Sequence, residues 1–329
     1  MKIKAYPSEL IPTLEGAIVK RGLVSFSVKG DGVYEVLDTL LSETSESGKS
    51  EEEILSYFVK EKKRQAKELI ENLLKHQFLY LSEGEDSKVE EPCDVFYWEQ
   101  GVKKEDIKKT LGAQAFAFLG VNSITRQLIA LFDAMGLDNY TLISVPHLDT
   151  VPAKKEKAFS YEEWKKSSST TVAIACSENG NHYFIKEINH LCFEKGVELF
   201  PVILNGKSGY IGPVIVPWET ACFECFLLRR EANASDFKLT QAIEKDRPTE
   251  RKAFGFHPAL ALSLAGFAFI ELERAYGGAM LKKRVNTILE VNLLDSLLIE
   301  RRILKVPYCT TCSPANKNPE LPIEKSLTI

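Results

Sequence analysis

The spacing of apolar positions changes character along the first eighty residues. Ala17-Ile18-Val19-Lys20 and Leu23-Val24-Ser25-Phe26-Ser27-Val28 are short β-prone runs, and Gly30-Asp31-Gly32 after them is a turn signal. Val33, Val36, Leu37, Leu40 and Leu41 then recur at helical spacing. Ser50 stands as a cap before Glu51-Glu52-Glu53-Ile54-Leu55, and Leu69, Ile70, Leu73 and Leu74 form the apolar face of a third helix closing at His76-Gln77-Phe78. Strands followed by three small helices predict a winged-helix arrangement over residues 1–81. Residues 82–92, from Ser82 to Pro92, are acidic and poor in apolar side chains, which predicts a linker.

From residue 93 to 329 the pattern is α/β. Gln114 to Gly120 reads as a buried strand turning into a helix over Ile124 to Leu137, and Tyr140 to Val145 as the next strand. Thr171 to Cys176, a helix over Phe184 to Lys195, and Leu199 to Leu204 continue a Rossmann-type order, followed by a glycine-marked strand over Gly209 to Pro217. Ala253 to Ile270 holds no Asp, Glu, Lys or Arg. Pro258 within it suits a helix start, and Glu271-Leu272-Glu273-Arg274 follows at once, so this stretch reads as a buried core helix rather than a membrane span.

Composition narrows the function classes. A chain of 329 residues with 44% hydrophobic and 27% charged content is an ordinary globular protein with room for more than one core. Winged helices commonly bind DNA, but the formal net charge is −4 and residues 1–88 carry 13 Lys and Arg against 16 Asp and Glu. Phosphate neutralisation supplies most non-specific DNA affinity, so no nucleic-acid partner is expected. The opening Met1-Lys2-Ile3-Lys4-Ala5-Tyr6-Pro7 lacks the apolar core of a signal peptide, which places the seven cysteines in a reducing cytoplasm, with no membrane association.

Two of those cysteine groupings carry chemistry. Cys222-Phe223-Glu224-Cys225 and Cys309-Thr310-Thr311-Cys312 each present two sulfurs from one short turn, and together they read as a single structural Zn²⁺ site. A closed four-sulfur site leaves no open coordination position for catalysis. Cys176 and Cys192 lie in apolar runs without an adjacent base and read as inert buried thiols. His190 and His257 read as packing or capping residues, Pro217 to Thr220 as a segment shaping the metal turn, and Arg229-Arg230 as a solvated helix face.

Two resemblances extend this reading. Gly16…Lys20-Arg21-Gly22…Phe26-Ser27-Val28…Gly30, Glu51 to Ile54 and Leu73 to Leu79 resemble a PqqD-like peptide-recognition domain. The resemblance implies that a leader peptide adds as a strand beside Val24, Ser25, Phe26, Ser27 and Val28. A helix bearing Leu69, Ile70, Leu73 and Phe78 then forms the other wall. Residues 93–315 resemble the adenylating domain of ubiquitin-activating and ThiF-like enzymes, including the cysteine pairs at the far end.

The departures from that family matter most. Its glycine-rich phosphate turn is here Gly120-Val121-Asn122-Ser123-Ile124-Thr125, and its ribose-binding acid is replaced within Leu142-Ile143-Ser144-Val145-Pro146. Its phosphate-clamping Arg is missing, and its metal-binding Asp has become Ala175-Cys176-Ser177-Glu178-Asn179, where Glu178 alone keeps a carboxylate. Loss of these groups together removes the positioning and charge stabilisation that nucleotidyl transfer needs and predicts a pseudoenzyme. The combined pattern, with Gly209 to Pro213, His257 to Ala261 and Pro307-Tyr308-Cys309, resembles the Ocin-ThiF-like accessory proteins (F proteins) of azole-forming bacteriocin clusters. That resemblance implies delivery of a ribosomal precursor peptide to a separate YcaO cyclodehydratase, with a dehydrogenase as a further partner and a homodimer compatible with it. Two readings compete: an adenylating enzyme with a non-standard nucleotide pocket, and a winged-helix regulator.

Overall fold

A computed structural model describes residues 2–45, 48–82, 90–151, 157–167, 169–233, 238, 255–278, 284–292 and 294–313. The expected linker falls largely on 83–89, outside these residues. The chain divides into two compact units, Met1–Lys104 and Glu105–Ile329.

In the first unit, β2 (Glu9–Thr13), β3 (Gly16–Arg21) and β4 (Val24–Lys29) form an antiparallel sheet with β3 in the middle. Three helices follow, α1 (Val33–Ser45), α2 (Glu51–Ser56) and α3 (Lys63–Lys75). Ser50 caps α2 through a reciprocal box, its hydroxyl accepting from Glu53 N while the Glu53 carboxylate accepts from Ser50 N at 2.7 Å. Two further strands, β1 (Lys2–Ala5) and β5 (Leu79–Ser82), pair antiparallel from opposite ends of the unit. No periodic signal marks β1, β2 or β5 in the amino-acid sequence. Each is short, and β2 contains Pro12, which is tolerated because β2 is an outer strand.

A helix beyond the acidic stretch, α4 (Pro92–Glu99), also belongs to this unit. Its Trp98 joins the core of Val19, Leu37, Leu40, Leu73 and Phe78, with the ring edge-on to Phe78 at 5.4 Å. Arg21 is buried and lies over both Trp98 and Tyr6, at 4.8 and 4.6 Å, while its guanidinium pairs with Glu90.

The second unit opens with α5 (Lys104–Gly112), whose first residue is the last of the first unit, and is built on an eight-stranded sheet. Its parallel part comprises β6 (Phe116–Leu119), β7 (Tyr140–Ser144), β8 (Phe159–Ser160), β9 (Val172–Ser177) and β10 (Glu198–Asn205), in the spatial order β8-β7-β6-β9-β10. Both β6 and β9 are buried at every position, as parallel strands covered on two faces require. The covering helices among the described residues are α6 (Ser123–Ala134), α7 (Tyr161–Lys166), α8 (His182–Lys195), α9 (Phe223–Ala232) and α10 (Pro258–Tyr276).

Three antiparallel strands extend the sheet: β11 (Ser208–Ile211), β12 (Thr287–Asn292) and β13 (Leu297–Arg302). The run expected as one strand from Gly209 to Pro217 therefore breaks after Ile211, where Gly212 adopts φ +78°. Helix α10 starts at Pro258 under a His257 cap, but it is half-buried. Leu264 packs on the sheet at Gly209, whereas Leu262, Phe267 and Ile270 face solvent, because one sheet face covers only one side of a helix whose stretch up to Ile270 is apolar all round.

Leu73 is 0% exposed at the centre of the first unit's core, so Leu73→Ala should cost about 2–5 kcal/mol. Chemical denaturation of the full chain, followed by circular dichroism, checks this as a lowered first transition.

Candidate functional site

The four chelating cysteines converge. Cys222 ends an extended segment as the N-cap of α9, Cys225 lies in that helix's first turn, and Cys309 and Cys312 come from a turn beyond β13. All four are buried and their sulfurs lie within 4.8 Å of one another. Three of the spacings are 3.5 Å (Cys222–Cys309), 3.3 Å (Cys225–Cys312) and 3.9 Å (Cys222–Cys225). Sulfurs at about 2.3 Å from one tetrahedral ion stand about 3.8 Å apart, so the geometry fits a four-thiolate divalent ion. Sharing of protons among the thiols drives Cys222 upward, while hydrogen bonds from its neighbours, Cys222 first, bring Cys309 down to about 6. Four thiolates this close repel one another unless a cation lies between them.

A carboxylate inside the first pair completes the centre. Glu224 is 3% exposed, and its Oε2 accepts hydrogen bonds from Thr310 Oγ1 (2.6 Å), Thr311 N (3.1 Å) and Thr311 Oγ1 (2.7 Å), while Lys186 pairs with Oε1 at 2.6 Å. Glu224 therefore holds the second cysteine turn from the first. Sequence reasoning passed over it as a spacer between the cysteines, although an acid between two chelating thiols is itself the signal. Val306 N donates to Cys225 Sγ at 3.2 Å, and Thr311 Oγ1 lies 3.1 Å from His190 Nε2. Arg229 is not simply a solvated side chain. It donates to Leu304 O at 2.7 Å and Lys305 O at 3.2 Å, securing the segment before Cys309, and Arg230 meets His182 at 2.8 Å. The Trp218 carbonyl accepts from Lys305 Nζ at 2.6 Å, so the Pro217–Thr220 segment does shape the metal turn.

A second group of polar residues gathers where the strand order reverses, between the C-terminal ends of β6 and β9, the position at which doubly wound sheets bind ligands. Gly120 has φ +101°, and a Cβ there would meet Cys176 O and Leu148 Cβ at 2.8 Å, so this glycine is sterically required. Asn122 caps α6 by accepting from Thr125 N at 3.0 Å and donates to Cys176 O and Leu148 O. Asp149 Oδ1 accepts from Val121 N at 2.6 Å, and Glu178 Oε1 accepts from Ser123 N at 2.7 Å. Glu178 Oε2 also takes the Thr150 hydroxyl at 2.5 Å. Two amides of the turn thus bind the chain's own carboxylates. Cys176, beside this turn, and Cys192, near the end of α8, are fully buried, and burial pushes both thiols up to about 12, consistent with inert thiols.

On the first unit, β4 is the outer strand of its sheet, and among the described residues no strand pairs with its other edge. Val24, Ser25 and Ser27 are exposed, whereas Phe26 and Val28 lean onto the core. Phe26 lies against His76 at the end of α3, at 4.6 Å between ring centres. Leu69, Ile70, Leu73 and Phe78 are interior, 5%, 1%, 0% and 0% exposed. They support the wall beside β4 from beneath, and the surface there is made by neighbours such as His76.

No protein-family model matches this chain, and no curated protein does. Among solved structures it is similar to a heterocyclase in complex with substrate and cofactor, at 15% identity and TM-score 0.63 over 94% of this chain and 39% of that one. The heterocyclase TruD matches at 15% identity and TM-score 0.63, over 95% of this chain and 43% of that one. Escherichia coli MccB matches at 12% identity and TM-score 0.60, over 95% of this chain and 97% of MccB. The chain thus spans about two fifths of the heterocyclases and nearly all of MccB. At such identities the likeness shows the fold. No helix among the described residues is long and apolar enough to cross a membrane.

Metal analysis of protein purified without added zinc should find about one ion per chain, and Cys309→Ala/Cys312→Ala should lose it together with thermal stability. Glu224→Ala should keep the ligands but release the ion to a chelator about 10- to 100-fold faster, read by a colorimetric zinc indicator. In the native, metal-loaded protein at pH 8, Cys176 and Cys192 should resist alkylation, because both thiols stay protonated and buried; peptide mass mapping reads the result.

Proposed function

We propose that this chain binds the leader segment of a ribosomally made precursor peptide and presents it to a separate YcaO-type cyclodehydratase, which forms thiazolines and oxazolines in the core peptide. The observation that carries the non-catalytic part is the turn at the sheet's switch point. A nucleotide triphosphate needs free backbone N–H groups and positive potential there. Instead Val121 N and Ser123 N face the Asp149 and Glu178 carboxylates, which add negative charge where phosphates would sit. The contribution left to this chain is proximity: it holds the substrate where a partner's chemistry acts.

The leader lies along the free edge of β4 as an added strand. Main-chain hydrogen bonds to Val24–Val28 give affinity, and side chains entering beside Phe26 and the end of α3 give specificity. One of the similar structures is a heterocyclase holding its substrate, which supports a peptide-processing setting, and this chain matches about two fifths of that protein. The remainder of such chemistry then comes from the cyclodehydratase, with a dehydrogenase acting later. Zn²⁺ on Cys222, Cys225, Cys309 and Cys312 is structural, since a closed thiolate set has no open position. The reading places the chain in the cytoplasm, without nucleic-acid or membrane partners, and is compatible with a homodimer.

A second reading, an active adenylating enzyme, is favoured by the whole-length likeness to MccB, which has also been solved with ATP. The two readings separate in solution. A fluorescein-labelled synthetic leader of a candidate azole-forming precursor peptide should bind the full chain in fluorescence polarisation, and calorimetry with Mg-ATP should show no saturable binding below millimolar. Proline at a leader residue whose N–H enters the ladder should weaken binding more than side-chain changes do. Pyrophosphate release by this chain alone would reverse the assignment.

A further inference from the structure

Helix α3 ends in a Schellman turn: Gln77 N donates to Leu74 O at 3.1 Å and Phe78 N to Leu73 O at 2.8 Å. The first of these donors stands where the motif needs a positive φ, the usual place of glycine, yet the residue there is Gln77, at φ 61°. Something must hold a side-chain-bearing residue there. Trp98 does so from outside the motif, its Nε1–H donating to the Gln77 carbonyl at 2.8 Å. The held residues are the ones that face β4: the His76 ring lies tilted against Phe26 with centres 4.6 Å apart, and Phe78 sits 6.4 Å from Phe26 and 5.4 Å from Trp98. The same α4 reaches the start of β4, where Glu99 Oε1 accepts from Leu23 N at 2.7 Å.

We infer that Trp98 is a positioning residue for peptide binding, fixing the wall beside β4 through the Gln77 turn. The inference rests on the leader-binding reading above. Without the indole hydrogen bond, Gln77 is free to leave the left-handed region, and His76 loses its seat on Phe26. Glycine at position 77 would hold that conformation without help. The chain therefore needs residues beyond the acidic stretch for recognition, although no residue of α4 belongs to the strand or helix that the leader is proposed to meet.

Polarisation with the labelled leader peptide and the full chain tests this, with melting curves recorded for each protein. Trp98→Phe should weaken binding about five- to tenfold, the effect of one lost hydrogen bond. Adding Gln77→Gly to it should restore most of the affinity. A Trp98 that merely fills the core predicts instead a lowered melting temperature with no recovery of affinity in the double variant, and that result overturns the inference. So does Trp98→Phe binding like wild type. If Trp98→Phe does not fold, His76→Ala at an exposed position replaces it: a several-fold loss supports the positioned wall, and unchanged affinity overturns it. A wild-type chain that does not bind the peptide overturns the functional reading and this inference together, whereas wild-type binding matched by the variants overturns this inference alone.

Discussion

Four buried sulfurs drawn from segments 87 residues apart must share a space less than 5 Å across, and the rest of the second unit's far end is arranged around that requirement. Thiolates at this distance repel, so the site is stable only if a cation neutralises them and the turns bearing them are held rigid. The holding is done by Glu224 across to Thr310 and Thr311, by Arg229 to the Leu304 and Lys305 carbonyls, and by Lys305 back to Trp218. Each contact joins the first cysteine turn to the second. The antiparallel strands β12 and β13 lie between the two turns in the chain, so the site also ties the path of that extension back to α9.

A comparable substitution of internal for external partners marks the sheet's switch point. Doubly wound sheets leave backbone amides open there for phosphate. In this chain Asp149 and Glu178 satisfy two of them, and Asn122 ties the turn to Leu148 and Cys176. Gly120 survives because of the Cys176 carbonyl and Leu148, a packing reason independent of any nucleotide. The turn is thus held by groups of the chain itself, two amides on carboxylates and one side chain on two carbonyls.

Much of this was legible in the sequence, for reasons that differ by element. The parallel strands β6, β9 and β10 announce themselves as unbroken apolar runs because both of their faces are covered, and Ser50 announces α2 because a cap acts within three residues. The short strands β1 and β5 could not be read: Ile3 pairs with Leu81 across the three helices that separate them in the chain. Leu69, Ile70 and Leu73 were legible as part of one apolar face but not as interior, since periodicity tells which residues share a side and not what covers that side. The reverse holds for α10, whose uncharged stretch up to Ile270 promised full burial while Leu262, Phe267 and Ile270 remain exposed.

By itself the sequence picked out the four cysteines whose sulfurs come together in a cluster that could hold a metal ion, because a two-residue spacer is a local property of the chain, and it determined the α/β order, because strand and helix periods are local too. It also showed that the expected phosphate-binding residues are missing. Only the tertiary structure decided what replaces them: that Asp149 and Glu178 reach back over 28 and 55 residues to the turn, that Glu224 serves the opposite cysteine pair, and that Trp98 supports a strained Gln77. Those partners are distant in the chain, and a hydrogen bond or buried carboxylate acquires its role from whichever group folding brings within 3 Å, which no spacing in the sequence encodes.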